Sequence, residues 1–183
     1  SISKFPKKPN AYILPDRDKV NQFKKKFSKN KKIKIGLSWN TIGNRNTNRN
    51  ISLNQMSKLL TLKEFEFINI QYGNSAIERK DFKNKFNTEI LNFDNIDITN
   101  DFESLSAIIE SCDLVITISN AAAHLSAAIG KKTWVIVPLY TQWHWFHERN
   151  NSLWYPNVKL FRQKKYNDWK DVIDELYNNI LNI

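Results

Sequence analysis

The sequence predicts an α/β fold with a Rossmann-like parallel sheet and helices on both faces. Short apolar runs that suit buried strands alternate with longer helical patterns along most of the chain. One junction is typical of this class, because the apolar run 113–118 leads directly into a small-residue helix that ends at Gly130. Such strand-to-helix junctions are where α/β proteins usually receive an anion. Composition agrees, since 183 residues with 41% hydrophobic content can bury one substantial core.

The predicted elements follow one another in a regular order. A proline-punctuated start and a lysine-rich amphipathic segment at 18–27 precede the first strand, so we expect a lead segment with a linker helix at 1–30 and one Rossmann-like domain at 31–183. Strands are predicted at residues 33–39, 65–71, 89–93, 113–118, 133–137 and 158–162. Helices are predicted at residues 53–62, with Ser52 as N-cap, and then at 76–86, 102–111, 121–130 and 168–181.

The segment around the fourth strand carries the strongest local signals. The β-branched residues within 113–118 suit a strand that is buried on both faces. Ser119 and Asn120 are both good N-caps for the next helix, because either side chain can accept a hydrogen bond from a first-turn amide. That helix is rich in alanine, so it can lie close to the sheet, and Gly130 ends it.

The expected strand order places two polar segments at one crevice. The common order 3-2-1-4-5-6 makes the first and fourth strands neighbours, and their carboxyl ends then form a single cleft. In this arrangement Ser38-Trp39-Asn40 and Ser119-Asn120-Ala121 face the same ligand.

The loop at residues 41–50 is a second candidate site element. The chain contains neither the Gly-x-Gly-x-x-Gly fingerprint of dinucleotide-binding proteins nor the Gly-x-x-x-x-Gly-Lys loop of P-loop proteins, so NAD and P-loop ATP chemistry are disfavoured. The loop offers Arg45 and Arg49 instead. These arginines are either a phosphate clamp or part of a solvated polar loop.

Histidines give a weaker signal. His124 lies about one turn into the helix after the fourth strand, where it is either packed against the core or in contact with phosphate. His144 and His147 flank two aromatic residues, but no third ligand is evident near them. A zinc site is therefore not expected.

Aromatic residues cluster after the fifth strand, again at a carboxyl end of the predicted sheet. We expect Trp145 and Trp154 to be core residues. Gln142 and Trp143 are closest to the strand end, so we expect this pair to face the ligand.

Charge and cysteine content set wider bounds. The net charge is +10, but lysines concentrate near the start of the chain and are otherwise scattered among asparagines, which favours a solvated surface over a basic binding face. Cys112 is the single cysteine, so the chain has no internal disulfide, and a cytoplasmic location is expected. No apolar run approaches the roughly 20 residues of a membrane span. The start at Ser1, without Met, indicates an excised piece of a longer protein.

A set of short segments from about Tyr12 onward carries a more specific signal. They are Ile35-Gly36-Leu37-Ser38-Trp39, Gly43-Asn44, Arg49-Asn50-Ile51-Ser52-Leu53, Ile70-Gln71-Tyr72-Gly73, Cys112-Asp113-Leu114-Val115-Ile116, Ala123-His124-Leu125, Ala128-Ile129-Gly130-Lys131-Lys132, Trp154-Tyr155-Pro156, Leu160-Phe161-Arg162-Gln163 and Asp168-Trp169. In this order they resemble the carboxyl-terminal half of heptosyltransferase-like (family 9) glycosyltransferases. The branch that they resemble most is fused behind tetratricopeptide repeats.

The resemblance implies a two-lobed, GT-B type enzyme whose carboxyl-terminal lobe, this chain, holds a nucleoside-diphosphate sugar. In such families the helix after the fourth strand and the loop after the first strand contact the diphosphate, and an acidic residue after the second strand holds the ribose. With the pair after the fifth strand, the implied substrate-binding residues are Ser38, Asn40, Asn44, Arg49, Glu78, Ser119, Asn120, Ala121, Ala122, His124, Gln142 and Trp143. The family usually has Asp-Thr where this chain has Ser119-Asn120, so a carboxylate is lost.

The implied reaction is glycosyl transfer without a metal, in which the helix dipole and nearby cations stabilise the leaving diphosphate. No cofactor besides the donor is expected. The acceptor, a protein or a glycan, and the general base would come from the other lobe, so we assign no catalytic residue here and expect the isolated chain to be inactive. Two other classes stay open: a non-catalytic nucleotide-sugar-sensing or interaction module, and a nucleic-acid-binding domain, which the net charge and exposed aromatic residues favour but no recognised binding motif supports.

Overall fold

The structure, a computed structural model, describes residues 11–41 and 47–183, so the predicted site residue Asn44 lies outside the described residues. Helices and strands alternate along the chain as the sequence predicts. Their bounds are α1 Arg17–Phe27, β1 Ile33–Ser38, α2 Ser57–Leu60, β2 Phe65–Asn69, α3 Ala76–Phe86, α4 Phe102–Ser111, β3 Leu114–Ile118, α5 Ala121–Ile129, β4 Thr133–Val137, β5 Val158–Arg162 and α6 Lys170–Ile180. Two short 3-10 helices, Thr47–Arg49 and Trp143–Trp145, complete the set.

The sheet is parallel, with the order β2-β1-β3-β4-β5. This confirms the predicted α/β class and the predicted neighbours, because β3, β4 and β5 are the fourth, fifth and sixth strands of the prediction. β1 and β3 lie side by side, with Leu37 opposite Ile116 and Ser38 opposite Thr117. The carboxyl ends of both strands therefore open at the same edge of the sheet.

The prediction of six strands was wrong by one, because the third strand, at 89–93, is only a single bridge between Leu91 and Ile68. Leu91 exchanges two backbone hydrogen bonds of 2.8 Å with Phe67 and Asn69, next to β2. Beyond it the backbone turns, with the Ile96 amide donating to Phe93 O at 3.0 Å, and Asn92 Nδ2 donates to the Asp94 carboxylate. Because the chain turns away, pairing stops after one residue.

Helix α2 is shorter than the predicted 53–62. The prediction of Ser52 as its N-cap was wrong, because the N-cap is Met56 and Ser52 lies in the turns before the helix. There the Gln55 amide donates to the Ser52 hydroxyl at 3.2 Å and the Ser52 amide donates to Gln55 Oε1 at 2.9 Å. This reciprocal pair is a capping box. The next residues form tight turns, in which the Met56 amide donates to Leu53 O at 3.1 Å, and regular helix begins only at Ser57.

Apolar side chains cover both faces of the sheet. One cluster joins β1 and β3 to α2 and α6, and includes the fully buried Trp39 and Leu176. A second joins the opposite face to α1 and α4, and includes Phe23 and Phe27 of α1. The linker helix predicted within residues 1–30 therefore packs against the domain, and the boundary near residue 30 stays a prediction. Among the described residues, no helix is long and apolar enough to cross a membrane.

Gly130 ends α5 in a left-handed conformation, with φ +87°. An added Cβ would lie 3.3 Å from that of Ala11, in the segment that runs past the end of α5. We expect Gly130→Ala to lower the free energy of unfolding by about 1–2 kcal/mol, since a left-handed residue with a side chain is strained. Urea denaturation measures this loss. Gly130→Asn is the control and should cost less, because asparagine tolerates this conformation better; equal losses would attribute the effect to the contact with Ala11.

Candidate functional site

Asn120 joins the ends of β1 and β3. Its Oδ1 accepts from the Ala122 amide at 3.0 Å, which makes Asn120 the N-cap of α5, and from Thr117 Oγ1 at 3.0 Å. Its Nδ2 donates to Ser38 Oγ at 2.8 Å and to Asn40 O at 3.3 Å. The two polar segments that the strand order predicts at one crevice are thus in direct contact, but Asn120 and Ser38 are buried and already paired.

Gln71 organises the loop after β1, a role that the sequence did not reveal. Its buried Oε1 accepts three hydrogen bonds, from Ser38 Oγ at 3.0 Å, the Trp39 amide at 2.9 Å and the Asn40 amide at 2.8 Å. Its Nε2 donates to Tyr72 O at 2.8 Å. The available signal was a polar residue immediately after an apolar strand. The Gln71 side chain places an acceptor at the end of β1, where the backbone amides lack strand partners.

His124 faces the cleft from the first turns of α5. Its ring stacks on Trp145, with the ring centroids 5.3 Å apart and the planes at 16°. Nδ1 lies 3.2 Å from the Tyr155 hydroxyl, and the ring of His144 is 5.0 Å away. Burial, and then the neighbouring His144, hold the pKa of His124 below its ordinary value. His124 is therefore neutral near pH 7 and has one nitrogen left for a ligand.

The charge of Arg49 acts on His144. Arg49 ends the 3-10 helix of the loop after β1, and His144 belongs to the 3-10 helix after β4. Burial lowers the pKa of His144, and the positive charge of Arg49 lowers it further. An anion between Arg49 and the two histidines would reverse both repulsions, because it favours the protonated imidazoles.

The buried polar atoms that lack partners share this edge of the sheet. In the described part of the chain, the buried side-chain nitrogen and oxygen atoms without a hydrogen bond are Asn40 Oδ1, Thr141 Oγ1, His144 Nε2 and Gln163 Nε2. All four follow the carboxyl ends of strands: Asn40 follows β1, Thr141 and His144 follow β4, and Gln163 follows β5. Since buried polar atoms are nearly always satisfied, this edge offers hydrogen-bonding groups to water or to a polar ligand.

The loop after β4 is held by Trp145 and Ser119. Trp145 is 0% exposed, and its Nε1 donates to Ser119 Oγ at 2.7 Å. Ser119 Oγ in turn donates to Gln142 Oε1 at 2.7 Å, so predicted site residues Ser119 and Gln142 hold each other. Trp143 projects from this loop and is 73% exposed. Trp154, predicted as a core residue, is 41% exposed and meets Trp143 edge to face at 6.0 Å; that prediction was wrong because two indoles pack against each other at the surface.

Glu78 lies on α3, and both of its carboxylate oxygens have protein partners. Oε2 accepts from Trp39 Nε1 at 2.8 Å, and Oε1 accepts from the Leu53 amide at 2.8 Å. The carboxylate thus ties α3 to the segments after β1 and before α2. A contact with ribose stays a prediction.

An apolar slot of about 120 Å³ lies on the other side of the first turn of α5. Ala121 and Ala122 form one wall, and Ile70, Tyr72 and Phe102 lie opposite. Ala121 is exposed and occupies the first position of α5, where the amide has no intrahelical acceptor. The slot and the cluster around His124 therefore meet at one helix N-terminus, which favours an anion. Within residues 11–41 and 47–183, no three His, Cys, Asp or Glu side chains cluster as metal ligands would.

Comparisons with known proteins agree with this architecture. No protein-family model matches the chain. Protein FlbA of Caulobacter vibrioides is 29% identical over 169 residues, which are 91% of this chain and 28% of FlbA. The structure of E. coli ADP-heptose LPS heptosyltransferase II is similar, with a TM-score of 0.62, 12% identity and coverage of 93% of this chain and 53% of that one.

Two further structures are similar in the same way. A family 9 glycosyl transferase from Veillonella parvula gives a TM-score of 0.58 at 10% identity, covering 96% of this chain and 47% of that one. E. coli heptosyltransferase WaaC with ADP-2-deoxy-2-fluoro heptose gives a TM-score of 0.57 at 9% identity, covering 88% and 47%. The chain thus spans about half the length of these enzymes and has a glycosyltransferase-like fold of the heptosyltransferase kind.

Proposed function

We propose that this chain is the donor-binding lobe of a GT-B type glycosyltransferase of the heptosyltransferase kind, and that it binds a nucleoside-diphosphate sugar. One observation carries the proposal. An apolar slot and a cluster of basic and unpartnered polar groups lie on two sides of the first turn of α5, with Ala121 between them. A ligand that fits both has a flat apolar ring at one end and negative charge at the other, which is the chemistry of a nucleotide.

The diphosphate would bind on the side of Arg49, His124 and His144. Arg49 supplies a fixed positive charge, and each histidine becomes a cation when an anion raises its pKa. The amide of Ala121, an exposed residue, adds a donor at the positive end of α5. When the bond between sugar and diphosphate breaks, these groups would stabilise the charge that develops on the leaving diphosphate, so the transfer would need no metal.

The base would enter the apolar slot between Tyr72, Phe102 and the first turn of α5. Phe102 is exposed at its mouth and gives a flat surface against which a ring can pack. Tyr72 and Thr99 bring hydroxyl groups to this lining, and the Thr99 hydroxyl already accepts from the Gly73 amide at 3.0 Å. The slot thus supports binding of a base by shape and apolar contact.

The remaining parts of the reaction belong to the rest of the protein. The chain spans about half of the similar enzymes and 28% of FlbA, so the proposal includes a second lobe that supplies the general base and the acceptor, a protein or a glycan. A tetratricopeptide-repeat region, a cytoplasmic location and a ribose contact by Glu78 belong to the same proposal. These three parts of the proposal are tested with the longer protein rather than with this chain alone.

Calorimetric titration of this chain with ADP, UDP and GDP, followed by their sugar conjugates, tests the proposal directly. We expect one diphosphate to bind more tightly than the other two, because the slot selects the base. Inorganic pyrophosphate should bind more weakly than that diphosphate, since it fills only the basic side. Equal affinity for all four ligands would remove the slot from the proposal, and no binding by any of them would contradict donor binding by this lobe.

Replacing the basic groups should weaken diphosphate binding without unfolding the chain. We expect His124→Ala and Arg49→Ala each to raise the dissociation constant about tenfold or more, because a charge-assisted hydrogen bond contributes about 1.5–3 kcal/mol. The matched control for the histidine is His147→Ala, since His147 is exposed and lies outside the cluster. The same calorimetric titration measures all three variants, and unchanged affinity in both site variants would rule out the phosphate site.

A further inference from the structure

Two exposed indoles pack against each other in the segment between β4 and β5. Trp143 is 73% exposed and Trp154 is 41% exposed, and their rings meet edge to face with centroids 6.0 Å apart and planes at 86°. An indole that is more than half exposed has at least one ring face open to its surroundings. Adjacent large apolar side chains left uncovered at a protein surface often mark a binding site. Together these two side chains form an indole platform.

The backbone under the platform is fixed, so the exposure of Trp143 does not result from a loose loop. The Phe146 amide donates to Trp143 O at 3.1 Å. Trp145, two positions after Trp143, is 0% exposed, and its indole donates to Ser119 Oγ at 2.7 Å. A surface held in this way loses little conformational entropy when a ligand packs on it.

A series of ring contacts connects the platform to the proposed diphosphate site. The Trp143 ring lies 5.7 Å from the ring of His144, and the ring of His144 lies 5.0 Å from that of His124. The sheet order runs in the same direction, since Tyr72 of the apolar slot follows β2, α5 follows β3, and Trp143 follows β4. The slot therefore lies toward β2 and the platform toward β4, with the first turn of α5 between them.

A nucleoside-diphosphate sugar has its parts in the same order, because the diphosphate joins the nucleoside to the sugar. With the base in the slot and the diphosphate at the histidines, the sugar reaches the platform. We propose that the indole platform is the sugar subsite of the donor site, and that it stacks on the apolar face of a pyranose ring. The inference rests on the proposed function and adds the part of the donor that it leaves unassigned.

The chemistry of the platform selects the class of sugar. The face of an indole is negative, so it attracts the weakly positive C–H bonds of a sugar ring. A pyranose with equatorial hydroxyls presents such C–H bonds on its ring faces and keeps its hydroxyls at the rim, where water still reaches them. An axial hydroxyl on the stacked face would hold the ring away from the indole. The platform therefore favours a pyranose such as glucose, whose hydroxyls are equatorial.

The first experiment compares ADP, UDP and GDP with ADP-glucose, UDP-glucose and GDP-glucose by calorimetric titration. The measured quantity is the affinity of each conjugate divided by that of its diphosphate, so that an indirect effect on the histidines cancels. In Trp143→Ala we expect this ratio to fall about three- to tenfold, which corresponds to the loss of one aromatic contact. Trp143→Phe should restore part of the ratio, because it keeps a ring. Tyr140→Ala is the matched control, since Tyr140 is an exposed ring of the same segment that packs on Tyr166.

The second experiment needs no nucleotide and follows the indole N–H signals by nitrogen-15 NMR during titration with methyl β-glucopyranoside. We expect the signals of Trp143 and Trp154 to move, and Trp143→Phe and Trp154→Phe assign them. The other four of the six tryptophans are buried and serve as internal controls. When the tightest-binding of the three glucose conjugates is added to saturation, the glucoside should no longer move the two signals, because the sugar of the donor then occupies the platform.

The outcomes separate the platform from the phosphate site. A ratio unchanged by Trp143→Ala overturns the sugar subsite even where every diphosphate binds. Signals that the glucoside still moves under a saturating conjugate also overturn it, because the sugar at the platform then comes from the acceptor. Movement of the two signals without binding of any diphosphate supports a sugar platform and contradicts the phosphate site of the proposed function. Neither movement nor diphosphate binding would contradict both.

Discussion

Replacing Trp145 with alanine is expected to lower the free energy of unfolding by about 3–5 kcal/mol, the usual cost of removing a large buried aromatic side chain. Trp145 is 0% exposed and packs with Val135, Val137 and Leu160 under α5. Its indole also donates to Ser119 Oγ, so the truncation leaves that hydroxyl without its donor. Urea denaturation should show a lower midpoint with an unchanged slope.

Trp143 provides a matched control for Trp145. The two indoles lie two positions apart in the same 3-10 helix, but Trp143 is 73% exposed. Trp143→Ala should change the free energy of unfolding by no more than about 0.5 kcal/mol, as is usual for surface substitutions. Similar losses for both variants would contradict the view that the buried indole, rather than the aromatic content of the loop, holds this edge of the sheet.

The same truncation should weaken diphosphate binding in the fraction that remains folded. His124 stacks on Trp145 at 16°, and without that ring it is free to take other rotamers. The Trp145 carbonyl also accepts from Arg162 Nη2 at 2.6 Å, which ties the loop to the end of β5. Stability and the proposed binding at this edge would therefore depend on one buried side chain, because the same ring supports both His124 and the loop.

The fold was largely predictable because its elements carry their own signals. The bounds of α3 and α4, Ala76–Phe86 and Phe102–Ser111, are those expected from the sequence, as are β4 and β5. The apolar β-branched strands are buried on both faces, which a short apolar run indicates without knowledge of its neighbours. The predicted third strand failed because the backbone turns directly after Leu91, where the Ile96 amide donates to Phe93 O, and the hydrophobic pattern does not reveal this turn.

The site was predictable only where strand order fixed it. The contact between Ser38 and Asn120 follows from β1 and β3 being neighbours, and strand order also brings both segments to one edge. The roles of Gln71, Thr141 and Tyr155 could not be read from the sequence. Each depends on a tertiary contact, or on the lack of one, with residues far away in the chain. Trp154 shows the opposite error. Its large aromatic side chain suggested a core residue, but its position in the loop leaves it exposed.

Gln71→Met should produce the second large loss, about 2–4 kcal/mol, because an unsatisfied buried donor costs about 1–3 kcal/mol. Methionine is close to glutamine in length and volume, so the packing changes little. It cannot replace an oxygen that accepts from Ser38 Oγ and from the amides of Trp39 and Asn40. The control is Gln55→Met, which removes an exposed acceptor from the capping box of Ser52 and should cost about 0.5–1 kcal/mol.

A double-mutant cycle separates the role of Gln71 at the site from its role in general stability. Ser38 donates to Gln71 and accepts from Asn120, so the two amide side chains act on one hydroxyl from two strands. Gln71→Met and Asn120→Ala should therefore be non-additive by at least about 0.5 kcal/mol, as is common for residues in one hydrogen-bond network. Additive losses would mean that Gln71 and Asn120 hold the end of β1 independently of each other. A coupling of this size would instead make the cap of α5, and with it the first-turn amide proposed to contact the diphosphate, depend on an acceptor that follows β2.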